Sequence, residues 1–114
     1  MTLNTEILEM ADIIKGVVPA DRIYLFGSYA YGTPNEHSDY DIYVVLSDES
    51  LRPYDAQVTI RRALMGSRNY SPVDILVLPM NSFEDRAKLL TLERKVVNEG
   101  VLLYERDRLD IRMA

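Results

Sequence analysis

The apolar residues of this chain recur with two spacings, one typical of helices and one typical of strands. From Thr5 to Lys15 they follow the i, i+3, i+4, i+7 spacing of an amphipathic helix, and Gly16 is its stop signal. The buried stripe of this helix is predicted to be Ile7, Met10, Ala11 and Ile14. A second helix is predicted from Pro53 to about Met65, with a buried stripe of Ala56, Ile60, Ala63 and Leu64.

Strand-forming residues are concentrated between these helices. Arg22–Phe26, Tyr40–Leu46 and Val73–Leu78 are predicted strands, and residues 101–105 (VLLYE) are a candidate edge strand. Side chains alternate along the second strand, so its two faces differ. Tyr40, Ile42, Val44 and Leu46 form one face; Asp39, Asp41, Tyr43 and Val45 form the other. We expect helices to cover the first face and the start of the second face to stay open for chemistry.

Two further helices complete the predicted order. Ser28 is suited to be the N-cap of a short helix that ends at Tyr31. Another helix is predicted to begin at a cap, Asn81 or Ser82, and its apolar periodicity continues to Gly100. The order α-β-α-β-α-β-α predicts an α/β (α+β) fold, with a small mixed β-sheet and helices packed on one face. We expect residues 1–114 to form a single domain.

Composition narrows the class of protein. Apolar residues make up 47% of the 114 residues, as in globular domains, and there are no cysteines, which fits a reducing cytoplasm. Neither a signal peptide nor an apolar run long enough to span a bilayer is visible, so we expect a cytoplasmic protein with no membrane partner. The formal net charge is −5, which argues against a nucleic acid as the primary partner.

The most informative motif joins the first two strands. Gly27-Ser28 follows the first strand directly, and after ten more residues Asp39 and Asp41 open the second. Glycine allows close approach of a phosphate to the backbone, and the serine hydroxyl can bond a phosphate oxygen. Aspartates at i and i+2 of a strand share a face and can bind divalent cations. Taken singly, each half is more often an ordinary turn or cap.

A third carboxylate lies in the next apolar strand. Asp74 is flanked by Val73 and Ile75, where an ionised group is costly unless it is paired or binds a metal. If the third strand lies beside the second, Asp74 can join Asp39 and Asp41. Three neighbouring carboxylates repel one another, and divalent cations relieve that repulsion. The combination predicts catalytic and metal-binding roles for all three, with Gly27 and Ser28 binding the phosphates.

This combination resembles the signature of the DNA polymerase beta-like nucleotidyltransferase superfamily. Within it the chain is most similar to the minimal nucleotidyltransferases, which often pair with a helical HEPN-domain protein. The resemblance implies the polymerase beta-like nucleotidyltransferase fold. It also implies that Asp39, Asp41 and Asp74 hold two Mg²⁺ ions and that Asp74 helps to deprotonate the incoming hydroxyl. ATP or another nucleoside triphosphate is the implied substrate. Tyr31 departs from the pattern, since many minimal members carry arginine there.

The resemblance also implies a biological role. Larger relatives hold their acceptor with an extra domain, and we expect this chain to lack a counterpart to it. We therefore expect transfer of AMP from ATP to a hydroxyl of a partner HEPN toxin, which would make the chain an antitoxin. The alternative is a non-catalytic antitoxin that neutralises its partner by forming a complex with it.

Several other residues are weaker candidates. Tyr29, Tyr31 and Tyr43 are each suited to stack on a base, although most tyrosines pack in the core or cover the surface. Cations that could contact a triphosphate are Arg61, Arg62, Arg68, Arg86 and Lys88, with solvated helix faces as the ordinary interpretation. The apolar stripe from Leu89 to Val97 is assigned to the core, with a homo-oligomer or partner surface as the alternative.

Overall fold

A computed structural model of the chain describes residues 5–34, 39–47 and 49–106. Within these residues the chain forms five helices and four strands. In order they are α1 (Thr5–Val17), β1 (Ala20–Phe26), α2 (Gly27–Tyr31), β2 (Tyr40–Leu46), α3 (Pro53–Ser67), β3 (Val73–Pro79), α4 (Met80–Ala87), α5 (Leu92–Glu99) and β4 (Val101–Glu105). None of the helices in this described part is both long and apolar enough to cross a membrane.

The strands form one mixed sheet in the order β3-β2-β1-β4. β1 lies antiparallel to β2 and to β4, whereas β2 and β3 are parallel. A parallel pair needs a crossover connection, and α3 provides it. The predicted mixed sheet is confirmed, as are the neighbouring positions of the second and third strands and the strand at residues 101–105.

The first face of the sheet carries the larger part of the core. Buried residues of α1 and α3 pack on the apolar residues that alternate along the strands. The predicted α1 stripe is fully buried, and so are Ala56, Ile60 and Leu64 of α3. The apolar face of β2 predicted from alternation, Tyr40, Ile42, Val44 and Leu46, belongs to this core.

The second face is also covered by helices, which corrects the expectation of helices on one face only. Phe83 of α4 and Val96 of α5 pack against the strand residues Tyr24, Phe26, Tyr43 and Val45. The ring of Tyr43 meets that of Phe83 edge-on, with centroids 5.0 Å apart. Tyr43 and Val45 leave an apolar surface that must be buried, and α4 and α5 bury it. The start of β2 on this face, at Asp41, stays partly exposed.

The long helix predicted from residue 81 to Gly100 is in fact two helices. Thr91 starts α5 as its N-cap: its Oγ1 accepts a hydrogen bond from the Arg94 N–H at 3.3 Å and donates one to the Arg86 carbonyl at 2.6 Å. The predicted caps of α4, Asn81 and Ser82, are wrong, because Pro79 precedes that helix without a side-chain cap bond. The break exposes Leu89 and Leu90, of which 62% and 92% is accessible. Of the predicted core stripe, only Val96 is buried.

Candidate active site

The centre of the candidate site is a pair of aspartates on neighbouring parallel strands. Asp41 is the second residue of β2 and Asp74 the second residue of β3, and the two are register partners. Adjacent strands are about 4.8 Å apart, so these side chains start from neighbouring positions at one end of the sheet. Asp39 lies just before β2 and is exposed, as is Asp74, while Asp41 is half-buried.

The charges of the two other aspartates act on the carboxyl group of Asp41. Burial raises the pKa of the Asp41 carboxyl, and the negative charges of Asp74 and Asp39 raise it further. Among the described residues, no three acidic or histidine side chains are already gathered as metal ligands. The carboxylate of Asp41 therefore lies close to two like charges, which disfavour its ionised form.

Gly27 lies at the end of β1, at the border of the candidate site. It is the first residue of α2 and has a φ of +73°, a conformation that favours glycine. Phe26 before it is the register partner of Asp41, so the turn lies against this aspartate. A Cβ on Gly27 would overlap Oδ2 of Asp41. Glycine is required here by both the turn and the aspartate, because the Asp41 carboxylate fills the space in which a Cβ would lie.

Ser28 has a different local role from the one predicted. The residue before α2 is Phe26, Ser28 is the second residue of the helix, and no side chain caps it. The N-cap assignment is therefore wrong. The Ser28 carbonyl accepts a hydrogen bond from Thr33 N–H at 3.0 Å, whereas its hydroxyl bonds to nothing within the described part of the chain.

A cavity of about 460 Å³ opens on the β3 side of the aspartates. Asp39 and Asp74 form part of its wall, together with residues from the end of α3 and the segment before β3. Among these are Arg61, Met65, Arg68, Tyr70 and Pro72. The Arg68 guanidinium stacks on the Tyr70 ring at 4.6 Å and pairs with Glu9 at 2.8 Å. The cavity therefore combines apolar walls, an aromatic ring and the cation Arg61, whose Nη1 donates a hydrogen bond to the Val73 carbonyl at 3.4 Å.

The tyrosines and cations proposed from the sequence fall into two groups: some pack in the fold or form ion pairs away from the site, and others line the cavity. Tyr43 is 1% exposed and packs on Phe83, so its assignment as a base-stacking residue is wrong. Tyr29 packs against Tyr40, with ring centroids 4.6 Å apart. Arg86 binds the buried Glu93, and Lys88 pairs with Asp85. Of the five candidate cations, Arg61 and Arg68 line the cavity.

Sequence reasoning missed a buried polar cluster behind the site. Glu93 is 5% exposed, and its two oxygens accept hydrogen bonds from the Tyr43 hydroxyl and from Nε of Arg86, both at 2.8 Å. Burial alone would raise the pKa of Glu93, but these hydrogen bonds outweigh it and the pKa is lowered. Burial and the neighbouring carboxylate raise the pKa of Tyr43. No spacing in the sequence marks Glu93 as buried, because its neighbours Arg94 and Lys95 are exposed.

The fold and this arrangement of a Gly-Ser turn beside paired strand aspartates define the nucleotidyltransferase class. The sequence matches the family described as polymerase beta nucleotidyltransferase over residues 9–109. The chain therefore belongs to the polymerase beta nucleotidyltransferase family. No curated protein matches the chain.

Solved structures with the same fold include a protein classified as a nucleotidyltransferase and toxin-antitoxin complexes. A Sulfolobus solfataricus protein classified as a nucleotidyltransferase is 25% identical, with a TM-score of 0.61 over 89% of this chain and 78% of that one. A toxin-antitoxin complex, MntA-HpeT, carrying two Asp-to-Glu changes, is 27% identical, with a TM-score of 0.58 over 98% of this chain and 82% of that one. A toxin-antitoxin structure with AMP-PNP is 24% identical, with a TM-score of 0.57 over 97% of this chain and 82% of that one. This likeness shows that the two proteins share the fold. The resemblance to minimal nucleotidyltransferases is confirmed.

Proposed function

We propose that the chain, as a single nucleotidyltransferase domain, transfers AMP from ATP to a hydroxyl group with pyrophosphate as the leaving group. The observation that carries the proposal is the register pairing of Asp41 with Asp74 beside the Gly27 turn. Mutually repelling carboxylates at the open end of a sheet cost stability, and a catalytic role accounts for them. Membership of the polymerase beta nucleotidyltransferase family supports the same chemistry.

The donor set of the site fits Mg²⁺. It offers carboxylate oxygens, which Mg²⁺ prefers, and the negative charges that raise the pKa of Asp41 are those that a divalent cation would offset. Asp39, Asp41 and Asp74 would hold the metal. When bound, two Mg²⁺ ions would neutralise the triphosphate and make the acceptor hydroxyl easier to deprotonate. Asp74, the more exposed partner of Asp41, would help to receive that proton.

Gly27 and Ser28 would bind the leaving part of the triphosphate. The first backbone N–H groups of α2, which begins at Gly27 beside Asp41, would donate hydrogen bonds to phosphate oxygens, and the Ser28 hydroxyl has no other described bond. These contacts would hold the β- and γ-phosphates at the end of β1. The α-phosphate would then lie between this turn and the carboxylates.

In-line geometry indicates where the acceptor would enter. The attacking oxygen and the leaving oxygen lie on opposite sides of the transferred phosphorus. With the leaving group at the end of β1, the attacking hydroxyl approaches from the side of β3. The cavity lined by Asp39 and Asp74 opens on that side. Its apolar walls and the Tyr70 ring are suited to an aromatic hydroxyl such as a tyrosine side chain.

The acceptor would belong to a partner protein. A solved toxin-antitoxin complex at 27% identity supports a partner that is a toxin, and the resemblance to minimal nucleotidyltransferases points to the HEPN family. The chain would then be an antitoxin that modifies a tyrosine of its toxin.

The experiment combines the purified chain, ATP labelled on the α-phosphate, Mg²⁺ and the product of the neighbouring gene, which is the expected partner. We expect label on the partner with the wild type and with Asp85→Asn, a charge change at an exposed residue of α4. The Asp39→Asn and Asp41→Asn variants should not transfer label. Transfer by both variants at the wild-type rate would refute the mechanism. Neutralisation of the toxin that persists in both variants would favour the non-catalytic antitoxin.

The acceptor side has its own test. Met65, 83% exposed at the cavity, is replaced by arginine, and Tyr54→Arg, at a 75% exposed residue on the same helix, serves as the control. We expect Met65→Arg to lower transfer to the partner without changing ATP binding, while the control changes neither. Equal effects of the two variants would contradict entry of the acceptor through this cavity.

A further inference from the structure

Lys95 lies on the exposed face of α5, and its side chain reaches across to α2. Its Nζ lies 4.9 Å from the centroid of the Tyr31 ring. Tyr31 is the last residue of α2 and follows Ser28 by three residues, about 4.5 Å along a helix axis. The ammonium group is therefore held beside the short helix that carries the Gly-Ser turn.

The helix that carries Lys95 is firmly attached to the sheet. Val96 is fully buried, and Glu93 bonds to Tyr43 of β2. At the end of α5 a Cβ on Gly100 would contact the carbonyl oxygens of Val96 and Leu25, so the backbones of α5 and β1 are in close contact there. Lys95 thus projects from a helix that is fixed to the sheet, and its ammonium group lies beside Tyr31 of α2.

The positive charge of Lys95 is not used elsewhere in the described structure. Ion pairs with acidic residues occupy Lys15, Arg22, Arg52, Arg68, Arg86 and Lys88. Lys95 and its neighbour Arg94 form no ion pair with any described residue. Both line a recess of about 360 Å³. Glu99 lines the same recess but forms no ion pair with either of them.

A nucleoside triphosphate at the proposed site would bring several negative charges to a chain whose net charge is already −5. Carboxylates occupy the centre of the site, so a cation for the distal phosphates must come from its border. Arg61 is on the β3 side. On the Gly-Ser side, the aromatic ring of Tyr31 holds Lys95 only weakly, whereas a phosphate would form a charge-assisted hydrogen bond with it.

We propose that Lys95 binds the terminal phosphates of the nucleoside triphosphate, with Tyr31 holding its ammonium group in place before the nucleotide arrives. The inference rests on the proposed function and names a phosphate-binding residue outside the Gly-Ser and aspartate motif. Arg94, one residue earlier in the same recess, is the next cation available to the same ligand.

Equilibrium binding separates this role from catalysis. The probes are α,β-methylene-ATP, which cannot transfer AMP, and AMP itself, both with Mg²⁺. We expect Lys95→Gln to weaken binding of the triphosphate analogue about tenfold, equivalent to about 1.4 kcal/mol, and to leave AMP binding unchanged. Lys95→Arg should retain most of the affinity. The control Lys88→Gln removes the same charge from a residue paired with Asp85 and should bind like the wild type.

Thermal unfolding of each variant checks that Lys95→Gln is folded, and Lys95→Arg provides a second measurement if it is not. Wild-type affinity of folded Lys95→Gln for the analogue would overturn the inference and leave the proposed function standing. An equal loss for the analogue and AMP would also overturn it, because Lys95 would then not act on the distal phosphates. A wild-type chain that binds neither nucleotide would refute the inference and the proposed function together.

Discussion

Two carboxylates near the same face of β2 have opposite environments. Asp41, at the open end of the strand, faces other carboxylates, and burial together with these charges raises its pKa. Glu93, packed over Tyr43 two residues further along, accepts two hydrogen bonds that lower its pKa against the effect of burial. The more deeply buried group is the one that is stabilised. Glu93, which stabilises the fold, is paired with Arg86 and Tyr43. Asp41 has like charges around it and lies where we propose the chemistry.

The sharpest test of this comparison is Gly27→Ala. Both the positive φ and the overlap with Asp41 Oδ2 oppose a side chain here. Gly32→Ala is the matched control, because its φ of +79° gives similar backbone strain but nothing lies within 4 Å of the added Cβ. We expect both to lose about 1–2 kcal/mol of stability. Only Gly27→Ala should also lose AMP transfer, on the order of 100-fold, since a small displacement of a catalytic group has that effect.

Transfer rates and denaturant unfolding of the two glycine variants provide the measurement. If Gly32→Ala lost as much activity as Gly27→Ala, the contact with Asp41 would not be the cause.

Replacing Glu93 should affect the fold. Glu93→Ala leaves the buried Tyr43 hydroxyl without its acceptor, which costs about 1–3 kcal/mol. Arg86 contributes less to the loss because its side chain is 55% exposed and returns to water. Urea unfolding measures the change, with Glu99→Ala on the exposed side of α5 as the control. A Glu93→Ala protein as stable as this control would show that the cluster does not stabilise the fold.

Replacing Asp41 should increase the free energy of unfolding, whereas replacing Glu93 should decrease it. Asp41→Asn removes a negative charge that Asp39 and Asp74 disfavour, so in metal-free buffer we expect a gain on the order of 0.5 kcal/mol, the size of one surface charge contact. The same variant should be inactive, as expected where activity is maintained at the expense of stability. Urea unfolding with a chelator present checks this. A loss of stability would mean that the Asp41 carboxylate has a partner in the fold.

The smallest expected effect is a pH dependence due to Glu93. Its folded pKa lies below the ordinary value of 4.5, so the unfolded chain binds the proton more readily. The stabilisation is complete above pH 4.5 and is lost as the pH falls through the lowered folded pKa. Urea unfolding from pH 7 to pH 3 should show a shallower decline for Glu93→Gln than for the wild type. Parallel curves would show that Tyr43 and Arg86 do not favour the ionised form.

Sequence patterns predicted the strands and the first core well because those signals are local. Alternation along residues 40–46 gave the bounds and faces of β2, and the spacing of the α1 stripe gave its buried residues. The position of Asp74 beside Asp41 followed from placing two apolar strands side by side. The roles of the five site residues, Asp39, Asp41, Asp74, Gly27 and Ser28, stay predictions that the experiments above address.

The missed features depend on contacts between distant segments. Glu93 lies in the charged sequence LERK, which is typical of an exposed helix, and only the approach of Tyr43 and Arg86 makes its burial favourable. The break before α5 arises from Thr91, which bonds back to Arg86. No motif in the sequence indicates a role for Lys95, because its neighbour Tyr31 is far away in sequence.

The crossover through α3 has a consequence for how the protein acquires its activity during folding. Residues 27–39 join β1 to β2, whereas residues 47–72, twice as many, lie between β2 and β3 and include α3, so the pairing of β3 with β2 closes the longer loop. Contacts of this kind form late, because the entropy of loop closure must first be overcome. A partly folded chain can bring Gly27 next to Asp41 and still lack Asp74. We therefore expect refolding kinetics in which transfer activity returns only after β3 has paired with β2.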